Sequence, residues 1–128
     1  MRLLLDTHTL LWFLREPERL PPRVTEVVES AGQQAFVSMA SLWEIAIKVS
    51  LDKLSLPGEF EELFPSSIEA SGLSLLSIEA HHLAVVRRLA FHHRDPFDRL
   101  LIAQAHSENL ALVSLDSHFA AYGVTVIW

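Results

Sequence analysis

The sequence predicts a three-layer α/β/α protein built on a five-stranded parallel sheet, and three features predict it. Five short runs are almost wholly apolar and lack the polar alternation of a half-exposed strand, which suits strands covered on both faces. Longer stretches with apolar residues at helical spacing lie between them. The two kinds alternate along all 128 residues without repeat, low-complexity segment or linker, so a single domain over 1-128 is expected.

Residues 2-5 (Arg-Leu-Leu-Leu) form the first run, which stops at Asp6. A nearly all-apolar helix follows over 8-15. Pro21-Pro22 opens a helix over 22-31, since proline fits the first helical turn. The second run is 35-38 (Ala-Phe-Val-Ser). The helix over 39-51 aligns Leu42, Ile45, Ala46 and Val49 in one stripe, and Pro57-Gly58 precedes another over 59-70. The third run is 73-76 (Leu-Ser-Leu-Leu), followed by a helix over 79-90 with Leu83, Val86 and Leu89. Asp95-Pro96 starts a helix over 96-108, and the runs 111-114 (Ala-Leu-Val-Ser) and 124-127 (Val-Thr-Val-Ile) complete the sheet.

Half of the residues are hydrophobic and a fifth are charged, enough apolar material for a core and too much for a disordered chain. There is no cysteine, which excludes disulfides, zinc–thiolate sites and cysteine nucleophiles. Any metal must be held by oxygen or imidazole. The start, Met-Arg-Leu-Leu-Leu-Asp, is too short an apolar run for a signal peptide or membrane span, so a cytoplasmic protein without a membrane partner is expected. The formal charge of -6 speaks against a protein that coats nucleic acid by bulk electrostatics. It speaks less against a nuclease, because carboxylates gathered around a divalent cation lose much of their repulsion toward phosphate.

In open α/β sheets the site lies beyond the carboxyl ends of the strands. Four acids fall there. Asp6 ends the first strand, Asp116 comes two residues after Ser114 at the end of the fourth, Glu44 lies early in the helix after the second, and Asp98 begins the helix that leads into the fourth. Each also has a structural explanation. Asp6 and Asp116 suit turn or cap positions, Asp95 suits the N-cap before Pro96, Asp98 suits the positive end of a helix dipole, and Glu44 suits an i,i+4 pair with Lys48. Helical phase separates the readings at Asp98, which shares a face with Leu101, Ile102 and Ala105 while Arg99 lies on the other side. An acid aimed at the sheet costs energy unless paired or metal-bound.

Four carboxylates without thiols suit Mg²⁺ or Mn²⁺, whose task would be to orient and deprotonate a water and to stabilise charge on a phosphoryl group. There is no Gly-rich phosphate loop, no Gly-x-Ser-x-Gly elbow and no His-Glu-x-x-His. Asp6-Thr7-His8-Thr9 also lacks the second Asp expected of an aspartyl-phosphate hydrolase.

Four segments together resemble the PIN-domain ribonucleases: Leu-Leu-Leu-Asp-Thr-His at 3-8, Ser-x-x-Ser-x-x-Glu at 38-44, Asp-Pro-Phe-Asp-Arg-Leu-Leu-Ile-Ala-Gln-Ala at 95-105 and Leu-Val-Ser-Leu-Asp at 112-116. They occur in the family's order and span essentially the whole chain. The nearest likeness is to the toxins of VapBC-type toxin–antitoxin pairs. The resemblance implies the five-stranded parallel sheet between helices. It implies that Asp6, Glu44, Asp98 and Asp116 form a metal site that is also the catalytic site, with Thr7 and Ser114 as hydroxyls beside it. It further implies endonucleolytic RNA cleavage, a homodimer, and a small antitoxin through which operator DNA is bound. Asp95 is an extra acid, read as a cap adjoining the site.

A nuclease also needs cations for phosphates it does not cleave, and His92, His93, Arg94 and Arg99 adjoin the Asp98 helix. The same run also reads as an ordinary solvated loop, and Arg99 as an i,i+4 partner of Asp95. Leu54, Leu56, Phe60, Leu63 and Phe64, with Trp12 and Phe13, form a segment more apolar than one domain needs; core packing accounts for most of these side chains, and a groove for an antitoxin helix is the sharper alternative. Two other functions fit the same acids: a PIN-fold nuclease of RNA processing or DNA handling, and an inert binding module.

Overall fold

A computed structural model describes residues 1–128, the side chain of Gln33 excepted. The five strands are β1 (Leu3–Leu5), β2 (Ala35–Ser38), β3 (Ser74–Leu76), β4 (Ala111–Val113) and β5 (Val126–Ile127). All pair in parallel in the order β3-β2-β1-β4-β5. The chain therefore builds outward from β1 in one direction, then crosses back to build in the other. The carboxyl ends of β1 and β4 flank that reversal, where an open sheet leaves its crevice.

Because successive strand residues face opposite ways, each strand feeds two cores. Leu3, Leu5, Val37, Ala111 and Val113 enter one, and Leu4 and Leu112 enter the other. The first core is roofed by α1 (Thr7–Arg15), α2 (Pro22–Ser30), α3 (Met39–Ser50), α4 (Phe60–Leu63) and α5 (Ser66–Ala70). Against the second lie α7 (Pro96–Glu108), through Leu101, Ile102 and Ala105, and a tight helical turn at Ser117–Tyr122, through Phe119. Packed on α7 is α6 (Ala80–Val86). The three layers and the parallel sheet are those the sequence predicts.

Three elements differ from expectation. The helix expected over 59-70 is two, α4 and α5, because Pro65 lacks the N–H that a continuous helix would need there. The helix expected over 79-90 ends at Val86, leaving Leu83 exposed. Only Val126 and Ile127 of the run 124-127 pair with β4. No helix is long and apolar enough to cross a membrane.

Candidate metal centre

Each acid is held by groups that the local fold brings to it. Asp6 follows β1, and its backbone N–H donates to the Val113 carbonyl at 3.2 Å, which ties the ends of β1 and β4 together. Its Oδ1 accepts the Thr9 N–H at 2.9 Å and so caps α1, while Oδ2 accepts the Ser114 hydroxyl at 2.5 Å. The cap and the site are thus one residue, buried at 8% exposure.

Ser38 ends β2 and starts α3, its hydroxyl accepting the Ala40 N–H at 3.0 Å. That start fixes the helix so that Ser41 and Glu44, three residues apart, share a face. The Thr7 hydroxyl meets both, 2.6 Å from Glu44 Oε1 and 3.0 Å from Ser41 Oγ. Glu44 Oε2 pairs with Lys48 Nζ at 3.0 Å. The i,i+4 pair is present, and it leaves Glu44 beside the other acids.

Asp95 Oδ1 caps α7 by accepting the N–H groups of Phe97 and Asp98 at 2.8 and 3.2 Å, with Pro96 in the first helical position. This cap launches Asp98 toward the site. Burial pushes the Asp98 carboxyl up to about 7; the negative charges of Asp95, Glu44 and Asp6 add to the rise, and His93 opposes it. Burial, with the neighbouring carboxylates adding to it, thus holds a proton on Asp98 near neutrality.

Asp116 starts the turn at Ser117–Tyr122. Its backbone N–H donates to the Ser114 hydroxyl at 3.0 Å, so Ser114 orders Asp6 and Asp116 together. Burial acts to raise its carboxyl, but the His118 N–H and the rings of His93 and His118 outweigh that and hold it below the ordinary carboxylate value.

His93 stands between two of the acids. Its Nε2 is 3.2 Å from Asp98 Oδ2 and 3.2 Å from Asp116 Oδ2, and its ring stacks on Phe119. Nδ1 faces the Asp95 N–H at 3.4 Å, so the ring proton belongs on Nε2, pointing at the carboxylates. The sequence marks His93 as a phosphate cation; its closure onto both acids depends on the loop before α7 and leaves no local signal.

The other expected phosphate cations part company. His92 is exposed and packs edge-on to Tyr122, and Arg94 is exposed. Arg99 is corrected: it is buried at 6% exposure and its guanidinium donates to the carbonyls of Val86, Leu89, Ala90 and His93. It also lies 4.2 Å from the Phe91 ring centre, and it forms no ion pair with Asp95 among the described residues. The guanidinium closes the α6–α7 loop instead of standing free as an exposed cation.

Ligand atoms of His93, Asp98 and Asp116 lie within 4.8 Å of one another. Asp6 and Glu44 stand outside that group, though near enough to raise Asp98. Hard oxygen donors, crowded until one of them retains a proton, fit a divalent cation of the Mg²⁺ or Mn²⁺ class. A second cluster, His81, His82 and Glu108, fits less well. Nδ1 of the buried His82 accepts the Glu79 N–H at 2.9 Å, so its proton sits on Nε2 and donates to Glu108 at 3.0 Å. That ring, like His93, turns its proton toward a carboxylate; with two imidazoles against one carboxylate this cluster is poorer in hard oxygen donors, and it staples α6 to α7.

The sequence model of the PIN domain family matches residues 3–124. No curated protein matches the sequence. Among solved structures, the chain is similar to VapBC2 from Rickettsia felis bound to a DNA fragment from their promoter, with a TM-score of 0.72 and 17% identity over 99% of this chain and 98% of that one. It is similar to FitAcB from Neisseria gonorrhoeae, with a TM-score of 0.67 and 19% identity over 98% and 96%. A toxin–antitoxin complex from Klebsiella pneumoniae gives 0.64 and 15% over 98% and 96%. At these identities the likeness is one of fold.

Proposed function

This chain belongs to the PIN domain family, and on that premise we propose that it is a metal-dependent endoribonuclease, the toxin of a toxin–antitoxin pair. The observation that supports it best is the gathering of Asp98 and Asp116 on either side of His93 Nε2, each 3.2 Å from it, with Asp6 and Glu44 near enough to add to the burial that raises the Asp98 carboxyl. Asp98 and Asp116 would hold the cation directly, with Asp6 and Glu44 completing its surroundings. When bound, Mg²⁺ or Mn²⁺ makes a water easier to deprotonate and offsets negative charge growing on the phosphate.

The chain's own residues prepare for this. Thr9 and Ser114 fix Asp6, and Thr7 and Lys48 fix Glu44, so neither carboxylate must reorganise. Asp98 gives up its proton to bind the cation, so cation affinity falls as pH drops below about 7. His93 carries its proton on Nε2 at the edge of the acids, where it can meet a phosphate oxygen.

The partner reading draws on the neighbours, toxin–antitoxin assemblies of which the Rickettsia felis one has promoter DNA bound. A small antitoxin would cover this chain and carry any contact with operator DNA, and the chain would form a homodimer. Apolar surface supports a partner. Of the seven residues singled out in the sequence Phe64 is buried and Phe13, Leu54, Leu56, Phe60 and Leu63 pack half-buried against the first core, each leaving part of its surface open, as does Trp12; Trp43 nearby is 59% exposed. Expression in bacteria tests the proposal. The unmodified chain should arrest growth and leave RNA fragments, and the Asp6→Asn chain should do neither. Equal arrest by both would refute it.

A further inference from the structure

Beside the acids lies a second depression, of whose lining the catalytic reading uses only Lys48. Arg15, Arg19, Lys48 and Lys53 line it, with Glu16 as its one acid. On a chain with ten Lys and Arg against sixteen Asp and Glu, four cations in one cleft are a marked local reversal of sign. It joins the acidic site directly. His8 and Trp12 line both this cleft and the depression formed by Asp6 and Asp116, and Lys48 reaches across to pair with Glu44.

The cleft holds more than charge. The Trp12 ring is half-buried in its floor, with the Arg19 guanidinium 5.7 Å from its centre. Arg15 is anchored by a 2.6 Å hydrogen bond to the Ser55 carbonyl, and Arg19 by an ion pair with Glu16. Lys53 makes no ion pair among the described residues. The Arg19 guanidinium lies over the Trp12 ring and Trp128 packs against that ring at 5.9 Å, so a base would meet the ring's remaining edge or take the place of Arg19. An aromatic ring among cations is an arrangement that receives single-stranded nucleic acid, with phosphates met by charge and bases by stacking.

We propose that this cleft is the track along which single-stranded RNA flanking the cleaved bond is held, with Arg19 and Lys53 on phosphates and Trp12 against a base. It rests on the ribonuclease reading and adds the path the substrate takes away from the acids.

The test measures binding of a short single-stranded RNA with Mg²⁺ over a salt series, using the Asp98→Asn chain as the uncleaving background. Adding Arg19→Gln and Lys53→Gln should weaken binding roughly tenfold and lower the salt slope by about 1.4, the change expected when two cations no longer neutralise phosphates of a single strand. Adding Arg87→Gln and Arg88→Gln, exposed residues that line neither depression, should change neither. Binding unaffected by the cleft pair, no binding in the background, or equal loss with the control pair would overturn the proposal and leave the cleft to an acidic protein segment. Cleavage by the unmodified chain, scored in parallel, separates the two claims. Cleavage with an indifferent cleft refutes the track alone, and absence of cleavage refutes the ribonuclease.

Discussion

Asp98→Asn should lower RNA cleavage about a thousandfold and, in the same molecule without metal, raise thermal stability at pH 8. The first effect follows from removing a ligand to a cation whose charge is worth several kcal/mol to the transition state, each 1.4 kcal/mol being about tenfold. The second follows from the sign of the Asp98 shift. Its carboxyl titrates near 7 in the folded chain and near ~4 when unfolded. The folded state therefore holds that proton more tightly. The resulting stability is full below about pH 4 and is lost as pH rises through about 7. Asn carries no charge and escapes that loss. The variant should melt with the parent at pH 4 and several degrees above it at pH 8. A merely structural Asp98 would give the opposite result, an Asn variant less stable at neutral pH with cleavage retained.

Arg99→Met should cost about 3 kcal/mol in urea denaturation, because partly buried carbonyls left without a donor bear part of their desolvation cost. The guanidinium serves the carbonyls of Val86, Leu89, Ala90 and His93, of which Val86 also accepts the Leu89 N–H. Arg99→Lys should recover less than half of the loss, since one ammonium cannot reproduce a planar fork. Cleavage should fall as well, because Arg99 holds the His93 carbonyl and with it the ring that stands between Asp98 and Asp116. A lysine variant as stable as the parent would show that the loop closes without the fork.

The sheet is legible in the sequence because each strand is a bare apolar run with little to mistake it for. Leu3–Leu5 and Ala111–Val113 are buried on both faces. The acids are legible for a different reason. Asp98 lies in phase with Leu101, Ile102 and Ala105, so helical geometry alone turns it inward, and Asp6 and Asp116 closely follow β1 and β4, which pair with each other. Arg99 and His93 are not legible, because their roles depend on how the loop after Val86 folds back over α7. In sequence an arginine beside an acid reads as an exposed pair, and only the closed loop reveals the partly buried carbonyls that take its donors. The Trp12 cleft is hidden likewise, since Lys48 and Lys53 come from beyond β2 and meet α1 only when the layers are assembled.

The most direct measurement is cleavage of single-stranded RNA at pH 8 by the purified chain, first in EDTA and then after Mg²⁺ or Mn²⁺ is added in excess. Acids deprived of their cation by EDTA should be inert, and active once it is restored. Cutting at full rate in EDTA would contradict that account, as would inactivity with either metal restored.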